Sequence, residues 1–464
     1  MVKINTFDLG ILGSMDATEI AAKIKNKEIT SHEAVACSIA RAEKVQPLIN
    51  AVVSERYAEA LKESKKEHKG LFGGVPIYIK DLNDYAGLPT FKGSAGVTNY
   101  IPQKHDAIVE QILHNGTVVL GKSATSEYGL LPCGETLQHG ETRNPWNTEY
   151  STGGSSAGAA ALVASGVVPI AHASDGGGSI RIPASCNGLV GLKPSRKRII
   201  TSMSAKAPID IATDNCVSRS VRDTANFIYD MECAYYNPKL PKIGKVVSPN
   251  SKRLKIAVFT DAPSGVESHP ANKNAVIETA RICEDSQHEV HYIHNPTPHE
   301  FMKDFIVYYS MLSLGNTFME YSSLGFRFNH FKLTKFAKDL ASLFPLLALR
   351  APMAFKRLKE SPYWYEDIFK KYDILMSPVL SHPAPKIGYF GTAVDSLEQL
   401  LRLNNYVNFT PIQNIVGAPA MSLPMGISEE GIPVGVQIAT KYGAERNLLE
   451  LAFEIEESGK FIQM

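Results

Sequence analysis

Two serines and a lysine are the residues of this chain best placed to do covalent chemistry, and both serines lie in one stretch. Ser151 to Ser185 reads STGGSSAGAAALVASGVVPIAHASDGGGSIRIPAS. A Gly153-Gly154-Ser155-Ser156 turn opens it, and small residues run from Ala157 to Ser165. Gly166 stops that run, Val167 to Ala173 is β-prone, and Ser174-Asp175-Gly176-Gly177-Gly178-Ser179 leads into a second helix start. The pattern predicts loop, tightly packed helix, buried strand, glycine turn and helix. The interval from Ser155 to Ser179 holds one helix plus one strand, so the chain can fold back and bring the two serines together. The glycines ahead of Ser179 leave backbone N–H groups free to point at a small anionic centre, as an oxyanion hole requires. The lysine is Lys80, at the end of the apolar run that starts at Leu71. Read alone, a lysine at a strand end is a surface group whose stem snorkels.

Other patterns compete for attention. Gly116 to Ser123, GTVVLGKS, fits the phosphate-loop expression G-x-x-x-x-G-K-[ST]. A phosphate loop needs a strand before its first glycine and a helix after its lysine; here the β-prone residues occupy the x positions, so the match is accidental. Gly154 to Gly158, GSSAG, fits the nucleophile-elbow expression with Ser156 as nucleophile. An elbow follows a buried strand directly, whereas the preceding NPWNTEYSTG is polar and turn-like. His288, His291, His294 and His299 are spaced for a helix, but HEVHYIH reads as a strand and would send them to alternate faces. They are expected at the surface, and no metal site is expected.

The elements that must position these residues alternate between helix and strand, which predicts an α/β class. Residues 15–48 predict two helices, with capping signals at Asp16/Glu19 and Thr30/Glu33. Strands are expected at 50–54, through Lys80, at 117–120, 167–173, 188–193, 253–260, 289–293, 374–379, 419–424 and 434–439. Helices are expected at 55–68, 107–114, 218–230, 270–284 and 444–457, with a helical, aromatic-rich stretch over 299–372. The expectation is one domain over 1–464. Its catalytic core lies in 15–237, a largely helical peripheral segment in 238–372, and the return to the core sheet in 373–464. The aromatics of 300–366 carry two readings, core packing, the commoner one for aromatics at helical spacing, and the lining of an apolar pocket, for which Trp364 is the test position.

Composition excludes several classes. Hydrophobic residues make up 44% of the chain and charged residues 20%. Those proportions suit a globular protein. A net charge of +1 gives no basic excess for nucleic acid or membrane. The basic runs Lys62 to Lys69 and Lys193 to Arg198 read as solvated faces. Cys37, Cys133, Cys186, Cys216, Cys233 and Cys283 form no C-x-x-C pair and suit reduced, mostly buried thiols. The first residues carry no secretory h-region, and Leu340 to Phe355 is too short and broken to span a bilayer. Cytoplasmic residence is expected.

GVPIYIKD around Lys80, GGSS at 153–156 and DGGGSIRIPA at 175–184 resemble the amidase signature family, as does the serine spacing. NPWN at 144–147, GLKPS at 191–195, SRSVRDTA at 218–225 and GAPAMSLPMG at 417–426 extend the resemblance over roughly residues 15–455, weakest at about 240–360. It implies an amidase-signature fold, a large mixed β-sheet covered by helices on both faces. It also implies hydrolysis of a small carboxylic amide to carboxylate and ammonia or amine, without cofactor. Carried onto this chain, Ser179 is the nucleophile, Ser155 the bridging serine in a cis peptide with Gly154, and Lys80 the base. The N–H groups of Gly176, Gly177, Gly178 and Ser179 are the expected oxyanion hole, with Asp175, Arg181 and Ser156 as supports. Asp81 should point away from Lys80 by strand alternation. Ala157 and Lys197 depart from the family's usual glycines, and the segment from Arg198 to Asn215 is short.

Alternatives are the glutaminase (A) subunit of a tRNA-dependent amidotransferase, an α/β-hydrolase-type esterase using Ser156, and a catalytically silent binding protein. The partner expected is a small-molecule amide. Oligomeric state is open, a homodimer included.

Overall fold

The computed structural model describes residues 3–201 and 207–464. In chain order the elements begin with α1 (Ala17–Lys25), α2 (Ser31–Ile49), β1 (Val52–Glu55), α3 (Tyr57–Glu63), β2 (Pro76–Lys80), α4 (Ala107–His114) and β3 (Val118–Ser123). Short strands β4 (Glu135–Thr136), β5 (Gly140–Glu141), β6 (Arg143–Asn144) and β7 (Asn147–Ser151) follow. The central stretch supplies α5 (Ala157–Ala164), β8 (Ile170–Asp175), α6 (Arg181–Asn187) and β9 (Val190–Lys193). Then come β10 (Thr213–Ser218), α7 (Val221–Ala234), β11 (Lys255–Val258), α8 (Pro270–Asp285) and β12 (Glu289–Tyr292). Three helices, α9 (Phe301–Leu324), α10 (Lys335–Leu347) and α11 (Ala351–Ile368), precede β13 (Ile374–Pro378), α12 (Ser396–Tyr406) and α13 (Pro411–Val416). β14 (Ala420–Ile427), β15 (Pro433–Ala439) and α14 (Glu445–Glu457) complete the chain.

Eight strands form a mixed sheet in the order β12-β11-β13-β15-β14-β9-β10-β8. β11 is parallel to β12 and β13, and the other pairings are antiparallel. A smaller sheet, β1-β3-β2, pairs β2 parallel to β3. Strand side chains alternate between faces, and the core divides accordingly. Ile256, Val258, Ile374, Met376, Met421 and Ile438 pack with Phe227, Val276 and Leu448 from α7, α8 and α14. Their neighbours Ala257, Leu375, Ala420 and Ala439 pack on the opposite face with Phe305, Leu358 and Ile412 from α9, α11 and α13. The stretch 238–372 is largely helical and also contributes β11 and β12, at the two strands expected there, to one edge of the main sheet.

Local signals set several boundaries. The Thr30 side chain and Glu33 complete a capping box on α2, and Asp16 accepts a hydrogen bond from the Glu19 N–H on α1. Every residue of α5, AGAAALVA, is buried, because five alanines and a glycine among its eight residues let the helix press closely against its neighbours. In the false phosphate loop, β3 runs from the third residue of the motif to its last, so strand occupies the Gly-Lys-Ser end where a helix would have to begin. Lys122 there is buried and paired with Asp81 at 3.2 Å.

Two surface expectations fail. Lys193 and Arg198 are buried: the Lys193 Nζ donates to the Pro194 carbonyl at 2.7 Å, and Arg198 is ion-paired to Glu232 and Glu445. Those acidic partners lie far along the chain, so the local run of positive charge gave a false picture of solvation. His288 is also buried; its Nδ1 accepts from the Leu254 N–H, and its Nε2 lies 2.9 Å from Glu454 Oε2. The Lys65, Lys66 and Lys69 side chains are exposed as expected, although α3 ends before them. Four of the six cysteines are buried and all six are free thiols. Among the described residues no helix is long and apolar enough to cross a membrane.

Candidate active site

β2 delivers Lys80 to the interior. The side chain is fully buried, so the snorkelling expected of an isolated strand-end lysine does not occur. Its Nζ donates to Ser155 Oγ at 2.8 Å, Ser174 Oγ at 3.0 Å and the Ser174 carbonyl at 3.3 Å. None of these partners is a carboxylate. Burial brings the ammonium down from 10.5 to about 7, opposed by the more distant Asp214 and Asp175. Asp81, next in sequence, turns to the opposite side and accepts from the Phe91 N–H as well as pairing with Lys122. Alternation thus separates an ammonium that would be fixed by a carboxylate from one left free to lose its proton.

Ser155 reaches Lys80 from the turn between β7 and α5. The Gly154–Ser155 peptide is cis. A β-carbon on Gly154 would come within 2.5 Å of the Cys133 nitrogen and 2.6 Å of its oxygen, so only glycine fits against that backbone. Ser156, the serine of the elbow expression, is buried behind this turn. It exchanges 3.3 Å contacts with the Ser174 carbonyl and N–H and does not line the cavity. The segment entering from β7 belongs to a two-stranded ribbon, not to the main sheet, which removes the structural basis for an elbow at Ser156.

The turn after β8 is held by Asp175. Burial alone would raise its carboxyl, but the Arg181 guanidinium outweighs that and holds it well below the usual carboxylate range. Arg181 Nε and Nη2 donate to Asp175 at 3.0 and 2.9 Å, and its remaining hydrogens go to Gln413, Gln437 and Asn414. The same carboxylate accepts from the Gly178 N–H at 2.7 Å and the Ile180 N–H at 3.1 Å. One expectation is corrected here: the Gly178 N–H is committed to Asp175 and cannot serve an oxyanion. The N–H groups of Gly176, Gly177 and Ser179 have no acceptor among the described residues. These three residues face the cavity, together with Ser155 and Ser174. Gly178 has φ +134°, and a β-carbon there would lie 2.4 Å from Thr410 Oγ1. Thr410 in turn donates to the Gly177 carbonyl at 2.6 Å, tying the turn to the start of α13.

The cavity, about 150 Å³, is walled by residues 128–132, by α9 and by α12. The aromatic-rich stretch does contribute to it, through Phe305 and Tyr309 of α9, whereas Trp364 packs behind in the core and does not line it. Ile211 and Ala212 bring the segment before β10 to the wall. Residues 202–206 of that segment lie outside the described residues.

Sequence reasoning passed over a buried pair behind Lys80. The Lys80 backbone N–H donates to His172 Nδ1 at 3.2 Å, and His172 Nε2 lies 3.1 Å from Asp214 Oδ1. The signal that could have found it was the two-residue alternation IAHASD, which puts His172 and Ser174 on one face of β8.

The comparisons with known proteins give the family and the fold. The Amidase family matches residues 33–449. "Putative amidase AmiC" of Mycobacterium leprae is 38% identical over 463 residues, covering 99% of this chain and 98% of that protein. The 6-aminohexanoate-cyclic-dimer hydrolase of Paenarthrobacter ureafaciens is 30% identical, covering 95% of this chain and 94% of that protein. A solved structure of 6-aminohexanoate cyclic dimer hydrolase superposes with a TM-score of 0.88 at 29% identity, covering 96% of this chain and 97% of that one. The chain belongs to the Amidase family. It is an amidase, a hydrolase acting on carboxylic amide C–N bonds. A glutamyl-tRNA(Gln) amidotransferase structure from Thermotoga maritima shares the fold at 24% identity.

Proposed function

We propose that the chain cleaves its amide through an acyl-enzyme on Ser179, with Ser155 relaying protons and Lys80 as the base. The observation that carries this reading is the 2.8 Å contact between a fully buried Lys80 Nζ and Ser155 Oγ, beside a cavity that Ser155 and Ser179 both line. Neutral Lys80 accepts the Ser155 proton while Ser155 accepts that of Ser179, whose Oγ bonds to the substrate carbonyl carbon. The carbonyl π electrons move to oxygen, and the N–H groups of Gly176, Gly177 and Ser179 stabilise the oxyanion. The proton then returns through Ser155 to the amide nitrogen as the C–N bond breaks, releasing amine or ammonia. Water attacks the acyl carbonyl and gives one proton to the same relay, which passes it to Ser179 Oγ as the acyl C–Oγ bond breaks; the carboxylic acid leaves and ionises to carboxylate. Asp175 and Arg181 hold the oxyanion turn in place, and Ser156 anchors the Ser155 turn to Ser174.

A fluorophosphonate followed by peptide mass spectrometry tests the assignment. The adduct is expected on Ser179 and is expected to be lost in Lys80→Ala. An adduct on Ser156 would overturn it. A glutaminase role is disfavoured by the cavity, since no lysine or arginine among the described lining residues is present to pair with the α-carboxylate of glutamine.

A further inference from the structure

The walls of the cavity are chemically uneven. Residues of α9 at Met302, Phe305, Ile306, Tyr309, Leu312 and Asn316 recur at helical spacing and lay one face along it. Phe305 stands next to the oxyanion turn, its ring within 3.6 Å of where a β-carbon on Gly177 would be. Asn316 lies about three helical turns beyond Phe305, roughly 16 Å along the axis. α12 supplies a second face through Leu400, Leu403 and Asn404, continued by Val407. Everything between the reaction centre and Asn316 on α9 is apolar or has its polar end occupied: the Tyr309 hydroxyl donates to the Leu130 carbonyl, leaving its ring to the cavity.

Asn316 and Asn404 break this pattern. Both side chains are half-buried, and neither amide has a hydrogen-bond partner among the described residues. Both can donate and accept, and neither carries charge. Asp175, the sole ionisable carboxylate among the described lining residues, is consumed by Arg181. A charged substrate group entering the cavity would shed water and meet no free counter-ion among the described lining residues. A purely hydrocarbon chain would bury the two amides unpaired.

We propose that this cavity selects an elongated, uncharged amide. An apolar stretch lies next to its scissile carbonyl, and a neutral hydrogen-bonding group further out, a second amide or a hydroxyl, is read by Asn316 and Asn404. This rests on Ser179 being the acylated residue.

The test is kcat/KM of the full chain on two matched sets of amides, one varied on the acyl side and one on the amine side. In each set chains of equal length end in methyl, carboxamide, carboxylate or ammonium. The carboxamide-ended member of one set is expected to exceed its methyl-ended counterpart about 10-fold, the effect of one well-made hydrogen bond, and to exceed both charged members by more. The double variant Asn316→Leu/Asn404→Leu is expected to reverse the carboxamide-over-methyl preference, with fluorophosphonate labelling of Ser179 unchanged as the check on folding. Preference for a charged member, retention of the wild-type ratio in the double variant, or no turnover of either set by a chain that labels at Ser179 would each overturn the proposal. Absence of labelling at Ser179 in the wild-type chain would strike the catalytic assignment beneath it instead.

Discussion

Replacing Lys80 by methionine should abolish activity and, at low pH, make the protein more stable. Burial brings Lys80 from its ordinary 10.5 to about 7. At about 1.36 kcal/mol per pH unit, that displacement is worth about 5 kcal/mol. The unfolded lysine keeps its ordinary value, so between about pH 7 and 10.5 the unfolded chain binds the extra proton and stability rises with pH. Below about pH 7 both states are protonated and the whole cost of the buried ammonium stands; above 10.5 it has vanished. Methionine keeps the apolar stem and removes the charge. It also removes three hydrogen bonds, to Ser155 Oγ, Ser174 Oγ and the Ser174 carbonyl. At roughly 1 kcal/mol each, they leave Lys80→Met about 2 kcal/mol more stable than wild type near pH 6 and less stable by a similar amount near pH 10. Urea unfolding of both proteins across that range measures the crossing, and amide hydrolysis should fall by about 10³-fold or more. A variant equally destabilised at both ends of the range would refute the claim that Lys80 is a buried amine held neutral by desolvation. Retained hydrolysis would refute its role as base.

Because only the neutral amine accepts a proton, kcat/KM should fall on the acid side with a midpoint at about 7. Asp214 favours the Lys80 ammonium, so Asp214→Asn should move this limb to lower pH; an unmoved or raised limb would show that the buried pair behind Lys80 does not act on it. Gly154→Ala would press a β-carbon onto the Cys133 backbone, which cannot yield as a side chain would. A loss of about 10²-fold in kcat/KM is expected from displacement of Ser155, with a stability loss of about 1–3 kcal/mol by urea unfolding. Wild-type rates would mean that the turn can move without disturbing the relay.

Much of the site can be read from the sequence because its parts are local. The glycine turn, the helix of small residues and the strand between Ser155 and Ser179 each follow from residue type over a few positions. Alternation on β2 is enough to send Lys80 and Asp81 to opposite sides. The family's motifs, in order along the chain, point to the three side chains proposed to react. Tertiary structure decided what depends on distant partners. Lys193, Arg198 and His288 look like solvent-facing charges until the chain folds around Lys193 and brings Glu232, Glu445 and Glu454 to the other two. Gly178 is indistinguishable from Gly176 and Gly177 in sequence, but the Asp175 carboxylate claims its N–H alone of the three, since only folding sets which amide points inward. The same holds for the substrate cavity. Phe305, Tyr309, Asn316 and Asn404 face it and Trp364 does not, because helix packing fixes which side of α9, α11 and α12 meets the reaction centre. Residue type and spacing determine which groups can react; the packing of distant elements determines their charge state, their free hydrogen bonds and the shape of what they can bind.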